Sequence, residues 1–235
     1  MDNSIALVTG ANKGIGKEIA RLLADAGLIV YVGSRDAARG ERAVEEIGGD
    51  ARPLVLDVTD PASIANAASQ VDTLDILVNN AGISGEDRTP DLEDIATFRR
   101  IYETNVFGVV AVTNAFLPAL RRSAHPRIVN ISSGTGSLTW ATGPQFPHQG
   151  AYAAYRSSKS ALNALTVFYA HALAEDGVKV NALAPGLRRT DLNANAAAGG
   201  GDPAEAAAGA VRLALLADEG PSGQFLSWDG TPVPW

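Results

Sequence analysis

Two periods of apolar and polar residues take turns along this 235-residue chain. Short continuous apolar runs, the style of strands buried on both faces, occur at Ile5-Ala6-Leu7-Val8, Leu28 to Gly33, Arg52 to Leu56, Leu74 to Val78, Arg127 to Ile131, Val178 to Leu183 and Gln224 to Trp228. Between them, apolar residues recur at helical spacing. The predicted helices run from near Gly14 to a stop at Gly27, from Asp36 to Ile47 before Gly48-Gly49, and from Pro61 to Val71 with Asp60 as N-cap. A long helical stretch follows from Asp91 to about Arg122, then Tyr152 to Asp176 closed by Gly177, then Pro203 to Ala217. Residues 135–150 read as an irregular loop and Asn193 to Gly201 as a mobile surface loop. Strand and helix alternating throughout predicts an α/β fold, a parallel sheet of about seven strands covered by helices on both faces. The carboxyl ends of such strands share one edge, so the polar and small residues that follow strands one, two, four, five and six converge on one crevice.

Length and composition narrow this picture. A chain of 235 residues, 46% hydrophobic, suits one large domain over residues 1–235 without room for a separate catalytic domain. The formal net charge of −7 argues against a general nucleic-acid or membrane-surface role but leaves room for a small anionic ligand. The absence of cysteine excludes disulfides, thiol catalysis and thiolate-bound metals. His125, His148 and His171 are scattered without ligand spacing, so no metal site is expected. With no basic-then-apolar leader and no apolar run of membrane-spanning length, a cytoplasmic location is expected.

The first strand runs straight into Thr9-Gly10-Ala11-Asn12-Lys13-Gly14-Ile15-Gly16 and then a helix. Strand, glycine-rich turn and helix form a cradle for a nucleotide diphosphate: the glycines admit it to the backbone, and the helix directs unpaired N–H groups at it. Glycines at this spacing also serve any tight strand-to-helix turn. The second strand ends in Ser34-Arg35 without the acid that would take unphosphorylated ribose hydroxyls; Asp36 instead starts the next helix. Arg35 offers a planar cationic fork suited to a 2′-phosphate, and Lys13 adds a second charge, which together favour NADPH over NADH. The competing reading makes both ordinary solvated cations. Asn79-Asn80-Ala81-Gly82 closes the fourth strand and Ser132-Ser133-Gly134 the fifth. Asn105 sits in an otherwise apolar helical pattern and bonds the backbone in the commoner case. Tyr155 and Lys159, four apart, share one helix face.

Together these motifs resemble the single-domain branch of the short-chain dehydrogenase/reductase family, over nearly the whole chain. The resemblance implies a Rossmann-type doubly wound sheet, NADP(H) as cofactor, and reduction of a ketone or aldehyde to an alcohol by hydride transfer. Asn105, Ser133, Tyr155 and Lys159 match the family's catalytic positions. Gly10, Asn12, Lys13, Gly14, Ile15 and Gly16 match its cofactor loop, joined by Ser34 and Arg35, by Asp57 and Val58 at the adenine, by Asn80, Ala81 and Gly82, and by Pro185, Gly186 and Thr190 at the nicotinamide. Tyr155 and Lys159 would also contact the cofactor. In that scheme Tyr155 is the general acid, Lys159 lowers its pKa and holds the ribose, Ser133 bonds the substrate oxygen, and Asn105 fixes a water that resupplies the proton. Tyr152 and Ser132 are the neighbouring competitors, read as packing and as a bland hydroxyl.

Three further readings stay beside this one: an alcohol dehydrogenase working oxidatively, a non-catalytic NADP(H)-binding redox sensor, and sugar-nucleotide epimerase chemistry, which fits the glycine spacing less well. Between Ser133 and Tyr155 lie 21 residues, where the plain family spacing is shorter. That stretch, with the carboxyl end, is similar to monomeric carbonyl reductases, which implies a monomer or dimer rather than a tetramer. Loops at 83–90, 135–150 and 187–202 are expected to wall the substrate pocket. Trp140 and Phe146 either form an apolar wall for an uncharged small-molecule carbonyl or pin their loop to the body.

Overall fold

The computed structural model describes residues 4–143 and 150–235. Seven strands form one sheet: β1 (Ile5–Val8), β2 (Ile29–Ser34), β3 (Ala51–Val55), β4 (Ile76–Asn79), β5 (Arg127–Ile131), β6 (Lys179–Ala184) and β7 (Phe225–Ser227). Their order is β3-β2-β1-β4-β5-β6-β7, with every neighbouring pair parallel. The chain steps outward from β1 to β3, then returns to lay β4 on the other side of β1. That reversal opens a crevice at the carboxyl ends of β1 and β4, where a sheet of this kind takes a ligand.

Alternation along the strands divides the core into two layers. Ala6 and Val8 of β1 point to one face, with Val30, Val32, Ile76 and Val78, under helices α1 (Gly14–Asp25), α2 (Ala37–Ile47) and α9 (Pro203–Ala214). Leu7 points to the other, with Leu77, Ile128 and Val180. That face is covered by α3 (Pro61–Ser69), α5 (Gly108–Leu120) and α7 (Ala153–Ala172). Pro53 lies in β3, the edge strand, where its missing N–H breaks no second ladder.

Three segments differ from the sequence expectation. The long helix expected from Asp91 starts at Ile95, capped by the Asp94 carboxylate, and is two helices rather than one. A π turn, Glu103–Phe107, separates α4 (Ile95–Tyr102) from α5, and the Gly108 N–H bonds the Glu103 carbonyl five residues back. The stretch after β5 is ordered where it is described, as a 3-10 turn (Gly134–Gly136) and the short helix α6 (Leu138–Ala141). Phe146 and the rest of 144–149 lie outside the described residues. The segment expected to be a mobile loop holds helix α8 (Ala194–Gly199), and Gly201 pairs with Arg188 in a β-bridge.

A buried polar chain crosses the layer under α5 and α7. Asn79 Nδ2 donates to Thr113 Oγ1 (3.1 Å) and to Asn130 Oδ1 (2.9 Å). Asn130 Nδ2 then donates to Thr166 Oγ1 (2.9 Å), and that hydroxyl to the Leu162 carbonyl (2.9 Å). Every link is buried, so removing one strands its neighbours without water. Asn130→Ala is expected to cost about 2 kcal/mol or more, read as a lower urea midpoint with an unchanged slope.

Candidate active site

The crevice begins with a lashing between the two central strands. Thr9, at the end of β1, accepts at Oγ1 from the backbone N–H groups of Asn80 (3.0 Å) and Ala81 (2.9 Å). Asn80 Nδ2 donates back to the Thr9 carbonyl (2.8 Å) and the Gly10 carbonyl (3.3 Å). The Asn80 side chain, expected at the cofactor, is thus spent on the frame of the glycine turn. Gly10 and Gly14 hold φ of +63° and +57°, the left-handed region that side chains disfavour. A Cβ at Gly10 would press to 3.0 Å from Ala81 Cα, and one at Gly16 would overlap the Asn80 amide. Carboxylates cap α2, α3, α4 and α9 through Asp36, Asp60, Asp94 and Asp202, whereas Lys13 gives α1 no side-chain cap. The first N–H groups of α1, around Ile15, remain for an anion. Uncapped helix end and side-chain-free turn together suit a nucleotide diphosphate.

Cations gather beside this cradle. Arg35 is exposed just past β2, and the Ser34 hydroxyl is buried and donates to the Asp36 carbonyl (2.8 Å). Lys13 Nζ lies 3.1 Å from Asp191 Oδ2 in the 187–202 loop. Lys13, Arg39 and Arg42 line a shallow groove of about 280 Å³ together with Asn12, Glu46 and Asp191. Arg39 and Arg42 were not singled out from sequence; their place one turn apart at the start of the helix after β2 was the available signal. Asp57 accepts at one carboxylate oxygen from the Thr59 N–H (2.9 Å) and hydroxyl (2.7 Å). Val58 packs against the Gly108 position under the π turn. Thr190 brings its methyl to 3.4 Å from the Cβ position of Gly14.

At the ends of β4 and β5 four sequence-predicted residues come together. Lys159 Nζ donates to the Ile131 carbonyl (2.8 Å) and sits 5.8 Å from the Tyr155 ring centre. A Cβ on Gly82 would lie 3.6 Å from that Nζ and 3.4 Å from Asn105 Oδ1. Asn105, in the π turn, accepts from the Ile83 N–H (2.9 Å) and donates to the Ile83 carbonyl (2.9 Å) and Ser158 Oγ (3.0 Å). Its amide is therefore fully engaged by protein, and Ser158 is a partner the sequence reading passed over. The Ser133 hydroxyl bonds Thr135 Oγ1 (2.8 Å) and pulls the pKa of the Tyr155 phenol down. Ser132 points inward instead, donating to Asn163 Oδ1 (2.5 Å).

Burial dominates the electrostatics here. It pushes the Tyr155 phenol above its ordinary value, with the Ser133 hydrogen bond pulling the other way. The expected depression of this phenol by Lys159 is not what this geometry gives, because the amine is turned to the Ile131 carbonyl and is itself deprived of water. Tyr152 stands in the left-handed region (φ 55°) at the start of α7, its phenol raised by burial and then by Asp87 of the 83–90 loop.

The substrate-side loops have fixed roots. Arg188, only 6% exposed, donates from Nε to the Pro185 carbonyl (2.7 Å) and from Nη1 to Glu205 Oε2 (2.5 Å). Its guanidinium lies 4.3 Å from the Trp228 ring centre, beside Gly186. The Arg189 N–H bonds the Gly201 carbonyl and the Gly201 N–H the Leu187 carbonyl, both at 2.9 Å, which closes the loop at its neck. Trp140 covers Gly134 and packs against the cluster of Ala182, Ala184, Phe225 and Val233, the anchoring role among the two considered for it.

Burial lowers the Lys159 amine to about 8 from its ordinary 10.5. The charged form is disfavoured in the fold, so the cost is complete below pH 8 and fades as pH rises toward 10.5. Lys159→Met should therefore gain most in melting temperature relative to the parent at neutral pH, the gap closing through that window. A gap that widens with pH in thermal melts would contradict this.

Comparison with known proteins agrees with the geometry. A family model described as short chain dehydrogenase matches residues 4–200. (−)-Isopiperitenone reductase of Mentha piperita is 36% identical, the match covering 95% of this chain and 96% of that protein. The structure of an NADPH-bound carbonyl reductase from chicken fatty liver superposes with a TM-score of 0.84 at 30% identity, covering all of both chains. Salutaridine reductase of Papaver somniferum superposes with a TM-score of 0.81 at 31% identity, over 95% of this chain and 99% of that one. Among the described residues no helix is long and apolar enough to cross a membrane. With the crevice, the Tyr155–Lys159 pair and these relatives in agreement, the chain belongs to the short-chain dehydrogenase/reductase family of oxidoreductases.

Proposed function

We propose that this protein reduces the carbonyl of an uncharged, largely apolar ketone or aldehyde to an alcohol with NADPH, Tyr155 giving the proton. The observation that carries the reading is the Lys159 amine 5.8 Å from the Tyr155 ring on one face of α7, with Ser133 acting on the same phenol and Gly82 leaving room beside the amine. When bound, the reduced nicotinamide supplies the hydride. Ser133 holds the substrate oxygen as negative charge grows on it, and Tyr155, kept protonated by burial, donates its phenolic proton to that oxygen. Lys159, with a pKa of about 8, returns a proton toward the phenol and holds the coenzyme ribose. Asn105 acts as a positioning residue, bonding Ile83 and Ser158 and so setting the loop after β4 against α7.

Gly10, Gly14, Gly16 and the open start of α1 would cradle the diphosphate, with Asn12, Ile15 and Ala81 around it. Asp57 and Val58 would meet the adenine. Pro185, Gly186 and Thr190 would flank the nicotinamide. Lys13 and Arg35 supply the cations for a 2′-phosphate, and no carboxylate ends β2 to oppose one. Leu138, Leu187 and Leu192 are exposed on the loops beside the site, in keeping with an apolar substrate. The 21 residues between Ser133 and Tyr155 support a monomer or dimer, which light scattering would test.

Tyr155→Phe should keep coenzyme binding and lose about 10²- to 10⁴-fold in turnover, followed by NADPH absorbance with a panel of carbonyls. Substantial residual reduction by that variant would refute the assignment. Arg35→Asp should move the NADPH-to-NADH preference by about tenfold or more toward NADH; equal kinetics with both coenzymes before and after would show Arg35 idle.

A further inference from the structure

The 187–202 loop reaches the cofactor cradle through Thr190 on Gly14 and through an ion pair. Lys13 Nζ and Asp191 Oδ2 are 3.1 Å apart, joining segments 178 residues distant in the chain. Both side chains are largely exposed, at 59% and 76%, so water screens the pair and its exchange costs little. The other carboxylates near the groove already have cations of their own: Glu46 pairs with Lys17, and Asp36 with Arg39 at 3.5 Å. Asp191 is thus the carboxylate committed to Lys13.

We propose that Asp191 is a specificity-determining counter-ion, which holds Lys13 until the 2′-phosphate of the coenzyme displaces it, so that the substrate loop registers which dinucleotide is bound. The inference rests on the NADPH reading above. A phosphate that engages Lys13 meets the Asp191 carboxylate beside the same amine. The two anions repel, and the phosphate carries the larger charge and more acceptor oxygens. Arg42 in the same groove adds attraction for the phosphate. A dinucleotide without that phosphate brings no competitor and leaves the pair intact. Thr190, next in the chain, packs on Gly14, and the Arg188–Gly201 neck fixes the loop root. Release of Asp191 is therefore felt between those anchors, in residues 191–200.

The test is calorimetric titration with 2′,5′-ADP and 5′-AMP, probes that differ in the ribose phosphate and carry no nicotinamide. Asp191→Asn, close in size and still able to accept a hydrogen bond, should tighten 2′,5′-ADP by about three- to tenfold and leave 5′-AMP unchanged. In a Lys13→Met background the same change should give no gain. Hydrogen exchange in residues 191–200 should respond to 2′,5′-ADP and not to 5′-AMP. If the parent protein binds both probes equally, the NADPH reading falls and this inference with it. If the parent prefers 2′,5′-ADP but Asp191→Asn shifts neither probe, or both alike, the counter-ion role alone is overturned.

Discussion

The site depends on how α7 is sewn to the end of β5. A helix carrying an acid must hold a fixed register against the strand carrying the neighbouring hydroxyl, and apolar packing alone tolerates small slips. Here directional bonds set the register: Asn130 to Thr166, Ser132 to Asn163, and the Lys159 amine to the Ile131 carbonyl. The turn after Ser133 is drawn onto the same helix, its Gly136 carbonyl accepting from Ser160 Oγ (2.8 Å). A Cβ on Gly136 would sit 2.9 Å from Lys159 backbone, so nothing larger than glycine permits that approach. The end of β5 with Ser133 and the face of α7 with Tyr155 and Lys159 are consequently held together by the frame rather than by flexible side chains.

A contrast among the helix ends separates frame from function. Four helices, α2, α3, α4 and α9, close their amino ends with an aspartate side chain, the ordinary remedy for orphan N–H groups. α1, at the centre of the sheet and beside the reversal of strand order, has none. α7 also lacks a side-chain cap, so the missing cap matters at α1 because there it coincides with a turn of glycines that leaves the N–H groups open to an anion from outside. The family relationship and the chemistry of the cradle thus point the same way.

Much of this was legible in the sequence. Runs such as Ile5–Val8 and Leu74–Val78 announce buried parallel strands, and the strand order places their ends on one edge. The clustering of Gly82, Asn105, Ser133, Tyr155 and Lys159 follows from that edge together with the family pattern. What escaped has specific causes. The π turn left a trace in the step of five from Ile101 to Val106, off the three-or-four spacing, but helical periodicity over the whole stretch hid it. Helix α8 was masked by its trailing glycines, although its alanines favour helix. Asn80 and Ser34 stay candidates for the coenzyme beside their frame bonds, since an amide or hydroxyl at a strand end serves frame and ligand with the same atoms. Arg188 offered no local sign at all, since Glu205 and Trp228, which make its burial tolerable, are remote in sequence. Lys159 matched its expected place, while burial lowers the amine and raises the phenol.

The neck held by Arg188 has an evolutionary corollary. With guanidinium, Glu205, Trp228 and the Gly201 bridge joining its two roots, the 192–200 segment, beyond Thr190 and Asp191, is a detachable span on a permanent base. Closure entropy grows slowly with the length of such a span. Insertion, shortening or exchange within that span leaves the catalytic frame and the coenzyme contacts undisturbed, so descendants of this scaffold are free to acquire new substrates by rewriting nine residues while inheriting the chemistry unchanged.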